Sequence, residues 1–573
     1  MKITVPTDRI IVEDSNQAHD AVIGGIPGAR FVKLQQAWTL PASPFSAIRL
    51  YQWARDNHVP MDSDKAFGDL VEEFRSIKED LIWKKEESRE VWAKIIKESP
   101  DWIPTKTTPW IHQGCAFSFI EGKKAAYLAL EMGTGKTLVT IMLVCANRLK
   151  NVLIVCPKSV LEVWEDELKK HAPGHPYAVL TLNKGNSRQK AETVVFQMNC
   201  SNIASRGQIV IVNYDTARQE AMQHVLLNTR WSLVVLDEAH KIKKPGGVTS
   251  KFCAKLGKKA DIRLCLSGTP LPNNLLDAYA QCRFLDPGLF GTNISKMRAQ
   301  YCMMGVGERF DRKKMQTVEY PEILEFVNVE KFERLFGYIT FRVDKSVLDL
   351  PPMTTMNRYC ELSKDAQEMY KTLKKEFVAQ VESGEVTTSN ALVKLMKFQQ
   401  LTSGFIIDDE GETHEIKAGK ALTKEKLLQE TFEGIDPSEK IVVFCKFKHD
   451  LAVVERISHS MDRRYGELSG TTSDIEGGQF PPDKDILGVQ IQAGGIGVNL
   501  VLARYAIFFS TGYSLSDYLQ ATARVHRGGQ DRAVTLIHLI CKDSVDEKIY
   551  QAIEDKKKVV DAILDAIKRG EDI

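Results

Sequence analysis

Two series of short, unbroken apolar runs constrain this chain more than any other feature. Between about residues 105 and 285 stand AAYLAL, VLIVCP, IVIVNY, SLVVLDEAH and RLCLSGTP, with helix-forming segments between them. Runs of this kind are what strands buried on both faces look like, and their alternation with helices implies a parallel α/β sheet. A second series, KIVVFCKF, ILGVQIQA, YAIFFS and VTLIHLIC, follows from about 440 to 541. Two α/β lobes are the economical reading. The length, 573 residues, exceeds one core, and a hydrophobic share of 43% lets each unit bury its own.

The organisation expected from these patterns is an N-terminal accessory domain over 1–104, a first lobe over 105–285, helical insertions and an inter-lobe linker over 286–435, a second lobe over 436–545 and a C-terminal helix over 546–573. In the middle region, 321–340 and 364–400 carry helix formers with apolar spacing of three and four, as in Leu392, Leu395, Met396 and Gln399. The polar, glycine-bearing stretch 406–420 reads as an exposed, mobile loop or hairpin. At the end, Ile549, Ile553, Val559, Val560, Ile563 and Ile567 form one stripe of a long helix or a helix pair, with Gly570 near its stop.

Lys+Arg 77 against Asp+Glu 75 leaves a net charge of +2, so no global field draws the chain to a polyanion, and contact with nucleic acid must come from local patches. No apolar run approaches the roughly 20 residues that span a bilayer, and MKITVPTDRIIVEDS lacks the apolar core of a leader. The eleven cysteines are scattered singly, several inside strand-like runs, which fits buried thiols in a reducing compartment. The expectation is a soluble, intracellular protein without a membrane partner.

Chemistry enters at ALEMGTGKT, residues 129–137, placed after an apolar strand and before the helix KTLVTIMLVCANRL. Gly133 and Gly135 let the backbone, with Thr134 between them, curl around phosphate oxygens. Lys136 reaches the β and γ phosphates and Thr137 offers a magnesium ligand. Leu130 stands where the strict phosphate-loop pattern has its first glycine. About 100 residues on, SLVVLDEAH ends a strand in two carboxylates: Asp237 for the metal, and Glu238 to orient or deprotonate an attacking water. His240 is a candidate for coupling the lobes, and Lys158, Lys241, Lys243 and Lys244 are candidates for local grip.

The order of blocks resembles superfamily-two helicases and, within them, the Swi/Snf-type remodelling ATPases, over roughly residues 105–573. The resemblance implies two RecA-like parallel-sheet lobes with helical insertions. Gln113 in TPWIHQGCAF is similar to the adenine-reading glutamine. Pro157 and Lys158 in VLIVCPKSVLEVWEDELKKH correspond to residues that approach the track strand, with Trp164 introducing a helix. IVNYDTAR, with Asn213, is similar to a further block of the DNA-contacting series. LSGTPLPNN implies that Ser267, Gly268 and Thr269 pass the state of the nucleotide site to the groove. AGGIGVNL resembles the glycine-rich block at the track backbone, through Gly494, Gly495, Gly497 and Asn499. QATARVHRGGQ supplies Gln520 and the arginine-finger candidates Arg524 and Arg527. YITFRVDKSVLDLPPMTTMNRYCELSKDAQEMY is similar to that family's linker. Residues 470–485 depart from its pattern, lacking the arginine usually found shortly before a phenylalanine.

More loosely, IGGIPGARFVKLQQAWTLPASPFSAIRLYQWARD resembles the small module of HARP-type annealing helicases, which would read a fork or junction through Arg30, Lys33, Trp38 and Arg49; a small β-hairpin domain with Trp38 in its core is the equal alternative. The resemblance as a whole implies a DNA-dependent ATPase using ATP and Mg2+. It would be a monomeric motor on double-stranded or branched DNA, with single-stranded DNA as a further candidate partner. Two rival readings stand beside it: a strand-separating DNA or RNA helicase, and a nucleotide-gated DNA-binding subunit of a larger repair or defence complex.

Overall fold

In a computed structural model of the chain, residues 1–555 are described except 201–205, 272–273, 312–315, 383–387, 409, 476–477 and 492–497. The chain divides into two compact units, Met1–Val347 and Leu348–Ile573.

The first unit is built on a seven-stranded sheet ordered Thr340–Val343, Ala125–Leu130, Ala260–Leu266, Trp231–Asp237, Asn151–Cys156, Gln208–Asn213 and Ala178–Thr181. All six neighbouring pairs are parallel. Its strands carry no polar alternation because both faces are covered, yet their side chains still part by twos. Tyr127, Ala129, Leu153, Val155, Val234 and Leu236 enter one core. Ala126, Leu128, Ile154, Val235 and Leu264 enter the other. Because every strand points the same way, the loops after Leu130, Asp237 and Leu266, which end adjacent strands, emerge together at one edge.

The second unit repeats the plan with six parallel strands, ordered Met353–Cys360, Val534–Cys541, Tyr505–Phe508, Ile441–Cys445, Ile486–Gln490 and Tyr465–Leu468. Val442, Phe444 and Phe508 face one core and Val443, Cys445 and Ile507 the other.

Residues 286–435 depart from the expected helical insertion. Thr340–Val343 adds an edge strand to the first sheet and Met353–Cys360 an edge strand to the second. Cys302–Asp311 and Gln316–Phe326 pair as a long antiparallel hairpin, and helix is confined to Val329–Gly337 within the stretch 321–340. EYPEILEF permits this: Pro321 disfavours a helix interior, and the following residues pair as readily in a ladder as in a coil. Helices Lys364–Glu382 and Thr388–Thr402 do form, but they pack on the second sheet through Tyr370, Phe377, Leu395 and Phe398. Leu395 and Gln399 are buried, whereas Leu392 and Met396 face outward. Phe405–Ile407 and Thr413–Glu415 pair antiparallel, so of the two alternatives for this stretch, loop or hairpin, the hairpin is formed. Of the C-terminal helix, Val545–Glu554 is described and the remainder lies outside the described residues.

The N-terminal hundred residues are not a separate body. A five-stranded sheet, Arg30–Val32, Ala37–Pro41, Arg9–Glu13, Lys2–Thr4 and Asp62–Ser63, shares a continuous core with the first lobe, running from Ile3, Ile10 and Phe45 to Phe284, Leu289 and Phe290. Arg49 donates to the carbonyls of Gly288 (2.8 Å) and Leu289 (3.2 Å), so its guanidinium is spent on this seam rather than offered to DNA. Trp38 is half-buried, donating its indole N–H to Asp20 (2.6 Å); it is neither a fully buried core residue nor a free stacking platform. Helix Lys65–Glu98 then carries Trp92 onto helix Ile111–Ile120, where a Cβ on Gly114 would collide with the indole.

Candidate active site

The phosphate loop leaves strand Ala125–Leu130 and enters helix Lys136–Ala146. Gly133 and Gly135 hold φ of 85° and 88°, the left-handed region that glycine enters without strain. At Gly135 there is a second constraint: a Cβ would run into the Gln113 amide. Gln113 accepts from the Trp110 N–H (2.8 Å) and donates Nε2 to the Thr134 carbonyl (3.0 Å), and His112 Nε2 meets the same carbonyl at 2.9 Å. Burial lowers the His112 pKa, which favours a neutral ring donating from Nε2. The glutamine expected at an adenine thus also braces the loop itself. Lys136 donates Nζ to the Leu130 carbonyl (2.9 Å), and the Thr134 hydroxyl donates to the Glu131 carbonyl (2.6 Å).

Beside it, Asp237 closes strand Trp231–Asp237. Its Oδ2 accepts from the Trp164 indole N–H at 2.9 Å and its Oδ1 from the Glu238 backbone N–H at 2.9 Å, while the Tyr214 hydroxyl donates to the Asp237 carbonyl at 2.8 Å. Burial first, and then the charge of Glu238, push Asp237 up to about 6, although Trp164 and Lys136 pull the other way. Glu238 adopts φ 51°, a strained conformation for a side-chain-bearing residue.

From there a chain of polar contacts runs to the adjacent strand end. His240 Nδ1 lies 3.3 Å from Glu238 Oε2 and 3.1 Å from Ser267 Oγ, and Ser267 Oγ accepts from the Thr269 N–H at 3.1 Å. Gly268 sits against Leu130, Glu131 and Met132, where an added Cβ would stand 3.4 Å from each. Tyr127 donates to Gln281 (2.7 Å), whose Nε2 donates to the Pro270 carbonyl (2.8 Å). The arrangement therefore joins, within one unit, a phosphate cradle, a carboxylate pair and a polar relay. The half-buried Thr137 hydroxyl and the Asp237 carboxylate form a hard oxygen set, and a desolvated carboxylate lifted toward neutrality fits a divalent cation that would restore its charge.

The track candidates fare unevenly. Lys158 is exposed at the start of the turn after strand Asn151–Cys156, with Pro157 half-buried beside it. Asn213 is buried: its Oδ1 accepts from the Thr216 N–H (2.9 Å) and its Nδ2 donates to the Thr216 hydroxyl (3.0 Å), so its amide is engaged in capping a helix. Gly494, Gly495 and Gly497 lie outside the described residues. Asn499 accepts from the Val501 N–H at 3.3 Å, a local turn contact.

In the second unit, taken by itself, helix Leu515–Val525 carries Gln520 and Arg524, and Arg527 follows; all three are half-buried. Gln530 pins the segment by donating to the carbonyls of Val501 (3.0 Å) and Val525 (3.2 Å), and His526 meets the Pro351 carbonyl at 2.8 Å. Sequence reading missed the contacts of Trp164, Tyr214 and His112 with the site. Trp164 was legible as an apolar position on an amphipathic helix, but nothing local says which strand end it reaches.

Comparison with known proteins places these features in a family setting. The family model described as SNF2-related domain matches residues 82–428, and that of the helicase conserved C-terminal domain matches 423–529. The chain is 26% identical over 495 residues to the ISWI chromatin-remodeling complex ATPase ISW2 of Saccharomyces cerevisiae, covering 81% of this chain and 41% of that protein. It is also 26% identical to the DNA repair and recombination protein RAD54B of Gallus gallus, covering 82% and 56%. Among solved structures, the Sulfolobus solfataricus SWI2/SNF2 ATPase core in complex with dsDNA is 25% identical, with 82% of this chain and 94% of that chain covered and a TM-score of 0.36. The chain thus spans about half the length of the curated relatives it matches.

Proposed function

The chain belongs to the SNF2-related domain family, and from that premise we propose that it is an ATP-driven translocase on double-stranded DNA. The observation that carries the reading is the continuous contact chain Glu238–His240–Ser267–Thr269, set beside Lys136 and the loop that Gln113 braces.

Gly133–Thr137 cradle the triphosphate, and Lys136 exchanges its carbonyl contacts for phosphate oxygens. Thr137 and Asp237 would hold Mg2+, which neutralises phosphate charge when bound. Glu238 accepts the proton of the attacking water from a left-handed backbone position directly after the strand end. His240 and Ser267 relay the change to the Thr269 segment. Arg524 and Arg527 of the second unit, with Gln520 one turn before Arg524 on the same helix, are the groups proposed to supply positive charge to the transition state. Lys158 and Asn499 contribute at the DNA backbone, together with Gly494 and Gly495; contacts to phosphates carry no base information, so the walk is largely independent of sequence.

Action on forks or branched DNA is the finer reading. The N-terminal sheet supports it through Arg30 and Lys33, which stay exposed after Arg49 and Trp38 are committed to internal contacts. The deciding experiment measures ATPase rate with duplex, single-stranded, forked and RNA cofactors, together with displacement of a triplex-forming third strand. Strongest stimulation by duplex or fork with third-strand release is expected. Stimulation by single strands or RNA alone would transfer the chain to strand-separating helicases, and DNA binding without third-strand release to the nucleotide-gated clamps.

A further inference from the structure

A second concave site lies in the first unit, at the opposite edge of the seven-stranded sheet from the phosphate loop. It is a cavity of about 860 Å³ between the N-terminal sheet and the lobe, reaching the starts of the strands that begin at Ala125 and Ala260. Strands of this length put it roughly 20 Å from the nucleotide site.

Its lining is unbalanced. Eight cationic side chains face five carboxylates. Two of those carboxylates already belong to lysines: Asp8 pairs with Lys258 at 2.6 Å and Glu73 with Lys124 at 2.7 Å. Asp261 pairs with Arg230 at 2.8 Å, a residue that does not line the cavity. Arg9, Arg30, Lys255 and Arg283 remain as cations without a carboxylate partner among the described residues, and the Arg283 Nε is buried without a hydrogen-bond partner there. Burial, and then the neighbouring charge of Arg30, lower the Arg9 pKa against the smaller opposing pull of Asp8. The same lining carries apolar surface from Pro41, Pro44, Leu70, Ile77 and Ile339.

A lining that combines unmatched cations with apolar surface suits a ligand with a concentrated negative charge at one end and a flat, weakly polar body at the other. The volume falls within the range of about 300–1,000 Å³ typical of small-molecule pockets, and a duplex does not enter such a space. A terminal phosphate carries about −1.5 to −2 at neutral pH, against −1 for an internal phosphodiester. We propose that this cavity binds a nucleoside 5′-phosphate, either free or as the phosphorylated 5′ end of a DNA strand. The strand-end source rests on the DNA-motor reading; the charge and shape of the cavity do not.

The test uses the full chain with ADP saturating the phosphate loop, and reads fluorescence anisotropy of a 3′-fluorescein hexanucleotide bearing either a 5′-phosphate or a 5′-hydroxyl. Tighter binding of the phosphorylated probe by about tenfold, the worth of one charge-assisted contact, is expected. The Lys255→Glu variant should erase that preference while keeping the wild-type melting temperature and DNA-stimulated ATPase; should the reversal impair folding, Lys255→Gln decides in its place. Competition by deoxyadenosine 5′-monophosphate as effective as by the phosphorylated strand identifies the free nucleotide as the source, and weaker competition identifies the strand end. Equal binding of the two probes, or a preference that survives the charge changes, overturns the proposal. Wild-type ATPase recorded on the same samples is a separate readout: loss of DNA stimulation there sinks the motor reading and leaves the 5′-phosphate comparison to stand by itself.

Discussion

Two aspartates, one in each unit, are held in opposite ways. Asp546 is fully enclosed and receives the Lys424 ammonium at 2.6 Å, the Thr402 hydroxyl at 3.2 Å and the Cys541 N–H at 3.2 Å. Burial, the largest single influence, lowers Lys424, but the charge of Asp546, its hydrogen bond and the neighbouring thiols Cys360 and Cys541 together outweigh it and the lysine is raised overall. Asp237, at the end of its strand, takes its hydrogen bonds among the described residues from neutral donors, the Trp164 indole and the Glu238 backbone. It lies beside a second carboxylate and is lifted to about 6. A buried carboxylate matched by a built-in cation holds the fold, whereas one given neutral donors and a like-charged neighbour is left with the unmet charge that the proposed Mg2+ would satisfy.

That contrast can be broken by substitution. The largest effects are expected at the groups proposed to act on ATP: Glu238→Gln and Arg527→Ala should each lower ATP turnover by about 10³-fold while leaving circular dichroism and, for Glu238→Gln, ATP binding intact; a wild-type rate would remove the proposed role. Next, Lys424→Met leaves Asp546 without its cation in a dry site and should cost about 3–5 kcal/mol in denaturant unfolding. The double change Lys424→Met, Asp546→Leu should recover much of that loss.

Asp237→Asn should act in the opposite direction on stability while abolishing turnover. A carboxyl raised from 3.8 to about 6 stabilises the fold only while protonated, so its contribution is present below pH 4 and lost as pH rises through 6. The substitution should therefore stabilise the nucleotide-free protein by on the order of 2–3 kcal/mol at neutral pH and by nothing below pH 4. A stability gain independent of pH would show that Asp237 is not desolvated as described. The smallest change is Trp164→Phe, which removes one N–H from Asp237. About 1–2 kcal/mol of stability should go with it, and the Mg2+ requirement for ATPase should rise, since the carboxylate proposed to hold the metal loses its fixed orientation; an unchanged requirement confines Trp164 to packing.

The sheets and the phosphate loop were legible because their signals are local. Unbroken apolar runs such as IVIVNY can be satisfied only by cover on both faces, and GTGKT between a strand and a helix needs left-handed backbone at Gly133 and Gly135 wherever it is built. Sequence alone thus determined the two parallel lobes and the position of the cradle and carboxylates at strand ends. Tertiary structure decided the rest. It turned Asn213 inward as a cap, spent Arg49 on the carbonyls of Gly288 and Leu289, recruited Thr340–Val343 and Met353–Cys360 as edge strands and brought Trp164 to Asp237. Each of these depends on a partner 3 to 240 positions away in sequence, chosen by packing and by the need to satisfy buried polar groups, and a residue's type states which bonds it can make but not which neighbour the fold will set beside it.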